Sequence, residues 1–307
     1  MSTFNISSEK VGEMFIRFVR EVKTRVCGLK KDFKWEGIGL DIDYDIQDPA
    51  NRERLLLDGW NKMSNLWVGV ESEGNYTATV MSIVESVFEC RFPQSRKLKI
   101  LSVGAGPGLY EFFLASLLKK FGVNSRILST DYSLNMIEFQ NKVIDSGISI
   151  DGSEVSSLRG MILPMIADMV QMSKVHDDSI DILICNNSLQ WVTDWKKAIV
   201  EIGRVMRHDG NKLAIFFIHP HGMNMCIGGS HKTQEHIALD ALLEELHNSG
   251  FSPVKTRMMV GGAGSGQGGA PLNRMMVKTE YYPNGVEKHW RDLVRTPGEV
   301  RPFRTPK

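Results

Sequence analysis

LKILSVGAGPGLYE, residues 98–111, is the stretch that decides the fold. Its first six residues are almost all apolar, which is typical of a strand buried in a sheet. Three glycines follow, and LYEFFLASLLKKFG then predicts a helix that stops at Gly122. Glycines between a strand and a helix N-terminus let a ligand approach free backbone N–H groups. The stretch therefore predicts a strand-loop-helix unit that binds an anionic or polar ligand.

Strands and helices alternate after this unit. Further strand-like runs cover residues 125–132, 161–168, 180–187 and 211–220. This alternation predicts a parallel sheet with helices on both faces. Two last runs, 252–261 and 273–282, are separated by a glycine-rich segment that holds no helix, so they predict an antiparallel hairpin. The predicted fold class is α/β: a doubly wound, mainly parallel seven-stranded sheet with an antiparallel C-terminal hairpin.

The residue composition and the hydrophobic periodicity divide the chain into three parts. Residues 1–95 show no convincing strand, and their helical patterns lie at about 9–26, 50–66 and 76–90. Residues 96–285 contain the alternating strands and helices. Residues 286–307 are basic and contain proline, which is typical of a loose tail. We expect a helical N-terminal extension, an α/β domain and a C-terminal tail.

Composition limits the class of protein. The chain has 307 residues, is 42% hydrophobic and carries a formal net charge of +1, so no large field attracts it to nucleic acid or to an anionic membrane. The four cysteines form no C-x-x-C pair, and no run approaches the ~20 apolar residues of a membrane span. We expect a cytoplasmic protein with no membrane partner, no metal site and no nucleic-acid substrate. The sequence leaves open whether the protein forms a homo-oligomer through its N-terminal helices.

Polar residues end several of the predicted strands. Asp131, Asp168 and Asn187 end the second, third and fourth strands, whose carboxyl ends should line one ligand crevice beside the glycine loop. Asp131 follows Gly108 by 23 residues, near the ~20-residue spacing at which an acid reaches a ribose diol. The last loop glycine comes one residue early for the dinucleotide fingerprint, with Leu109 in the fingerprint position, and no Walker lysine follows. This disfavours NAD or FAD and excludes a Walker loop.

Together these features resemble a class I S-adenosylmethionine-dependent methyltransferase. The resemblance covers about residues 96–282. It rests on VGAGPG, on LSTDYS, on the IAD of the next strand, on IDILICNNSLQWV and on RVMRHDGNKLAIF. It implies a Rossmann-like methyltransferase fold, with S-adenosylmethionine as cofactor and S-adenosylhomocysteine as product.

The resemblance also implies which residues bind the cofactor. In this family the glycine loop contacts the methionine part, and the roles of ribose ligand and adenine neighbour transfer to Asp131 and Asp168. The cofactor-binding candidates are Gly104, Gly106, Gly108, Asp131, Tyr132, Asp168, Met169 and Asn187. Ser102 departs from the pattern, because the family commonly has Asp or Glu at this position. A weaker contact to the amino group of the cofactor is therefore expected.

The acceptor side is suggested by NNSLQWVTDW, residues 186–195. This stretch resembles small-molecule carboxyl methyltransferases of the trans-aconitate, malonyl-carrier-protein and juvenile hormone acid types, whose Gln-Trp or His-Trp pair matches Gln190 and Trp191. The helices before the first strand carry Trp60, Trp67 and Tyr76. Helices in this place commonly form a lid in this family, and Trp67 and Tyr76 are further acceptor-binding candidates. Packing in the core or at an oligomer contact is the competing interpretation for these aromatic side chains.

Two histidines are the catalytic candidates. His219 and His221 end the fifth predicted strand, where an imidazole could take a proton from an acceptor. A carboxylate acceptor needs no base, so their role depends on the substrate. We predict methyl transfer to an oxygen (carboxylate or hydroxyl) or a nitrogen of a small organic molecule. The alternatives are an NAD(P)-dependent oxidoreductase on a similar sheet and a non-catalytic homologue that binds the cofactor.

Overall fold

The computed structural model describes residues 6–29, 54, 57–62, 64–65, 67–69, 73–90, 96–208, 212–218, 237–260 and 273–281. The helices are α1 (Ser8–Arg25), α2 (Glu73–Glu89), α3 (Leu109–Lys120), α4 (Leu134–Asp145), α5 (Trp195–Val205) and α6 (Leu239–Asn248). The strands are β1 (Leu98–Val103), β2 (Ser125–Asp131), β3 (Ser149–Ile150), β4 (Ser153–Glu154), β5 (Ile162–Ile166), β6 (Ile182–Asn186), β7 (Leu213–Ile218), β8 (Phe251–Val260) and β9 (Asn273–Tyr281). Residues 57–62 are also helical, and the tail 286–307 lies outside the described residues.

Seven strands form one sheet in the order β5-β2-β1-β6-β7-β9-β8. β1 pairs in parallel with β2 and β6, β2 with β5, and β6 with β7. β9 pairs antiparallel with both β7 and β8. The predicted mainly parallel seven-stranded sheet with its C-terminal hairpin is therefore confirmed. The strand ends differ from the predicted ones by one or two residues, and β3 and β4 are too short for a periodic pattern to reveal them.

Neighbouring residues of β1 enter two hydrophobic cores on opposite faces of the sheet. Ile100 belongs to the core that α1, α2, α3 and α4 cover, and Leu101 belongs to the core that α5 and α6 cover. This division follows because successive side chains of a strand point to opposite faces. A strand covered on both faces must be apolar on both, which explains the near-continuous apolar run of β1.

The N-terminal helix α1 packs against the same core as the helix that follows the glycine loop. It begins after Ser7, whose hydroxyl accepts the backbone N–H of Lys10 at 3.3 Å. The ring of Phe15 is fully buried, and its centroid lies 5.2 Å from that of Tyr110 and 5.1 Å from that of Phe113, both on α3. The apolar stripe of α1 therefore faces the protein's own core. In the described segments no helix has the length and apolarity needed to cross a membrane.

Candidate active site

A pocket lies where β1, β2, β5 and β6 end. Its walls come from the loop after β1, from residues at or just beyond the ends of β2, β5 and β6, and from the N-terminal residues Leu57, Trp60, Trp67 and Tyr76. This is the crevice at which an open α/β sheet binds its ligand. The strand-end prediction and the pocket therefore coincide.

The loop after β1 brings backbone close to the pocket through two glycines. Gly104 and Gly106 have φ angles of +59° and +56°, a region that residues with a Cβ adopt only with strain. A Cβ on Gly104 would lie 2.3 Å from the Cβ of Ser188, whereas a Cβ on Gly106 would meet no described atom within 4 Å. Gly106 thus faces open space, into which a ligand can approach the main chain. Gly108 is the N-cap of α3 and does not line the pocket.

Asp131 holds the loop from the end of β2. Its Oδ2 accepts the backbone N–H of Gly106 and its Oδ1 accepts that of Ser133, each at 2.8 Å. Burial raises the pKa of this carboxyl, and the backbone hydrogen bonds oppose that increase. Each oxygen keeps a further acceptor site, so the carboxylate can also receive the hydroxyls of a diol. The N-cap of α4 is Ser133, which accepts the N–H of Met136 at 3.2 Å.

The remaining cofactor candidates meet Asp131 at the same edge of the sheet. Asp168 lies two residues beyond the end of β5, and its Oδ1 accepts the N–H of Val170 at 3.0 Å. Asn187 follows β6 with a φ of +55°. These residues line the pocket together with Met169 and with Tyr132, which is 51% exposed. S-adenosylmethionine fits this set, because open space at Gly106 adjoins acidic and amide groups suited to the polar ends of such a cofactor.

A carboxyl that the sequence reasoning missed lies buried between β1 and α3. The hydroxyl of Ser102 donates to Oε1 of Glu111 at 2.6 Å, and both residues are buried. Oε2 of Glu111 has no hydrogen-bond partner within the described part of the chain, and burial raises the pKa of this carboxyl to about 7. At the position where the resemblance implies a missing acid, α3 therefore places a carboxyl beside the serine. The signal in the sequence is an acidic residue in the otherwise apolar first turns of α3.

Three indole rings form one wall of the pocket. The ring centroid of Trp60 lies 4.9 Å from those of Trp67 and Trp191, with interplanar angles of 81° and 87°. All three residues line the pocket and are only half-buried. We call Trp60, Trp67 and Trp191 the tryptophan wall. The structure thus brings together two of the predicted acceptor residues and adds Trp60 to them.

Tyr76 also lines the pocket, but its hydroxyl has an internal partner. The residue is 3% exposed and its O–H donates to the carbonyl of Val68 at 3.2 Å. Its ring packs 5.9 Å from that of Phe15 and 6.0 Å from that of Tyr110. Burial holds the pKa of both tyrosines above the ordinary value, so each is a neutral phenol. Tyr110, which also lines the pocket, was not predicted.

Gln190 lies apart from this arrangement. Gln190 is 4% exposed, and its side-chain amide finds no partner among the residues that the structure describes. Its neighbour Trp191 lines the pocket, whereas Gln190 does not. His219 and His221 lie outside the described residues. Their role as general bases stays a prediction.

Comparison with known proteins finds a family model that matches part of the chain. Residues 101–214 match the family model of a methyltransferase domain. No curated protein sequence matches the chain.

Solved structures share the fold at low sequence identity. One is a Galdieria sulphuraria protein provisionally described as a sarcosine dimethylglycine methyltransferase, with 13% identity, a TM-score of 0.53 and coverage of 74% of this chain and 99% of that one. A second, a provisionally described methyltransferase in complex with the Haloferax volcanii Trm112 methyltransferase activator, has 12% identity, a TM-score of 0.50 and coverage of 74% and 96%. A third, a SAM-dependent methyltransferase from Aquifex aeolicus, has 13% identity, a TM-score of 0.44 and coverage of 76% and 98%.

Proposed function

We propose that this chain is a class I S-adenosylmethionine-dependent methyltransferase that methylates an oxygen or a nitrogen of a small organic molecule; the matched methyltransferase domain and the sheet topology support this. The observation that carries the proposal is that the tryptophan wall and the glycine loop with its acidic neighbours line the same pocket. A largely apolar pocket with a few polar groups is typical of a small-molecule site.

The two sides of the pocket have different tasks. When bound, the cofactor supplies a methyl group that is already activated on a sulfonium centre. Asp131 and Asp168 hold its nucleoside end, and the open space at Gly106 admits the methionine end close to the backbone. The tryptophan wall holds the acceptor and keeps water away from it. Fixed orientation alone can supply effective molarities of ~10⁵ to 10⁸ M, so this chain need not form a covalent intermediate.

A base is needed only for some acceptors. A hydroxyl or a protonated amine must lose a proton, whereas a carboxylate attacks as it is. We propose His219 or His221 as the base for acceptors of the first kind, since an imidazole titrates near neutral pH. Replacing both by Ala should then lower kcat and leave binding of S-adenosylhomocysteine unchanged.

Calorimetric titration tests the cofactor part of the proposal. We expect micromolar binding of S-adenosylhomocysteine and no binding of NADH. Asp131→Ala should weaken the binding of S-adenosylhomocysteine by about 1.5 to 3 kcal/mol, because hydrogen bonds to a charged group are lost. Asp145→Ala is the matched control, since it removes an exposed carboxylate at the far end of α4.

Two results would contradict the proposal. Binding of NADH without binding of S-adenosylhomocysteine would support the oxidoreductase. A folded protein that binds neither compound would also contradict a cofactor site at this pocket. Once binding is established, mass spectrometry of a mixed acceptor panel, with S-adenosylmethionine as donor, detects the methylated product and its acceptor atom.

A further inference from the structure

We infer that the acceptor is a small amine, and that the tryptophan wall binds its cationic ammonium form. The inference rests on the proposed function and names the acceptor class for the same pocket. It separates amines from the carboxylates and hydroxyls, which the sequence reasoning had placed first.

The charges around the pocket favour a cation. Among the lining residues that the structure describes, Asp131 and Asp168 carry formal charges, and no Lys, Arg or His is present. A carboxylate acceptor would find no cationic partner on this lining, and both aspartates would repel it. An ammonium group experiences attraction from the same two side chains. The electrostatic preference of the described lining therefore opposes an acid and favours an amine.

The geometry of the tryptophan wall provides the second argument. The face of an indole ring is electron-rich, and Trp binds cations placed within ~6 Å of its ring centroid better than Tyr or Phe does. The ring of Trp60 is nearly perpendicular to those of both Trp67 and Trp191, so the ring faces point in different directions instead of stacking. Such an arrangement suits a compact ammonium group, which can contact more than one face. All three rings keep exposed surface for this contact.

The chemistry of transfer agrees with this binding preference. The bound ammonium first loses its proton, to the base proposed above or to water, because only the neutral amine has a free lone pair. That lone pair then forms the new N–C bond, the methyl–sulfur bond breaks, and its electron pair stays on sulfur as a neutral thioether. The positive charge therefore moves from sulfur to nitrogen, next to the tryptophan wall. One proton is therefore released for each methyl transferred: a tertiary amine becomes a quaternary ammonium, and a primary or secondary amine becomes a methylated ammonium that still carries a proton.

The test compares the binding affinity of a cation with that of an uncharged molecule of the same shape. The protein is first saturated with S-adenosylhomocysteine, so that the cofactor place is filled. Choline and its uncharged isostere 3,3-dimethyl-1-butanol are then titrated separately by calorimetry, with butyrate as the anionic comparison. We expect choline to bind about tenfold more tightly than the isostere and butyrate to bind most weakly.

Variants of the tryptophan wall assign the effect to these rings. Trp60→Leu should weaken choline binding about tenfold and binding of the isostere less than about threefold, whereas Trp60→Phe should lose only part of the choline affinity. Trp195→Leu is the matched control, because Trp195 packs against the α5 and α6 core and does not line the pocket. Circular dichroism and binding of S-adenosylhomocysteine verify that each variant folds.

Several outcomes would overturn the inference while leaving the proposed function intact. These are equal binding of choline and its isostere, tightest binding of butyrate, and no choline binding to protein that binds S-adenosylhomocysteine. A fourth is a Trp60 variant that loses affinity for S-adenosylmethionine but not for S-adenosylhomocysteine. That result would assign the cation site to the sulfonium of the cofactor. Failure to bind S-adenosylhomocysteine at all would instead count against the proposed function.

Discussion

Glu111→Gln tests the buried carboxyl between β1 and α3, because it replaces the carboxyl by an amide of nearly the same shape. Glutamine keeps a carbonyl oxygen that can accept the hydroxyl of Ser102, which lies 2.6 Å from Oε1 of Glu111. It removes the proton that titrates. Because burial raises the pKa of Glu111 from 4.5 to about 7, the stabilities of the parent and the variant should respond differently to pH.

The size of the difference follows from the linkage between proton binding and unfolding. Between pH 4.5 and 7 the folded parent keeps a proton that the unfolded chain has released, so this residue makes the free energy of unfolding fall as pH rises. One pKa unit corresponds to about 1.4 kcal/mol, which makes the whole loss about 3 kcal/mol. The stabilising contribution is complete below pH 4.5 and is lost above pH 7. The variant has no such loss, so its advantage over the parent should grow by about 3 kcal/mol over this interval.

Urea denaturation at closely spaced pH values between 4.5 and 8.5 measures this difference. Glu138→Gln serves as the control, because Glu138 is an exposed carboxylate on α4 that water solvates in both states. The control should follow the parent, while Glu111→Gln should diverge from it as pH rises. A difference between parent and Glu111→Gln that stays constant within about 1 kcal/mol across the series would refute the burial argument.

Two further substitutions test the loop and the aromatic support of the pocket. Gly104→Ala should cost about 1 to 3 kcal/mol more stability than Gly122→Ala, because both have positive φ but only the first places its Cβ against Ser188. Equal losses in thermal denaturation would show that the contact with Ser188 relaxes freely. Tyr76→Phe should cost about 1 kcal/mol of stability, since the carbonyl of Val68 loses its donor, and should leave acceptor KM unchanged. A raised KM with unchanged stability would instead mean that the hydroxyl contacts the acceptor.

The pocket lining at the strand ends could be predicted because its residues lie at or just beyond the ends of strands. Gly104 and Gly106 come directly after the apolar run of β1, Asp131 ends β2 and Asp168 follows β5, at positions that a parallel sheet brings together. The exact ending of β5 did not matter, because Asp168 reaches the pocket from two residues beyond it. Gly108 shows the limit of this reasoning. It belongs to the same glycine motif, but it is the N-cap of α3 and does not line the pocket.

Residues that act through tertiary packing gave no comparable local signal. Trp60 meets Trp191 across more than a hundred positions of sequence, and only their ring contact shows that they form one wall. Gln190 illustrates the same difficulty in reverse, because it adjoins Trp191 in sequence and yet its amide is buried away from the pocket lining. Neighbours on a short helical turn point in different directions. The sequence pattern therefore predicted the position of the short turn with Gln190 and Trp191, but it did not indicate which of the two side chains lines the pocket.

The two sides of the pocket are joined through aromatic packing. The turn that carries Trp67 is held by the bond from Tyr76 to the carbonyl of Val68, and the ring of Tyr76 packs against that of Tyr110. Tyr110 lies in the first turn of α3, directly after the glycine loop. The tryptophan wall thus depends on N-terminal segments that pack onto α3, while the opposite edge, with Asp131, is fixed by strand register.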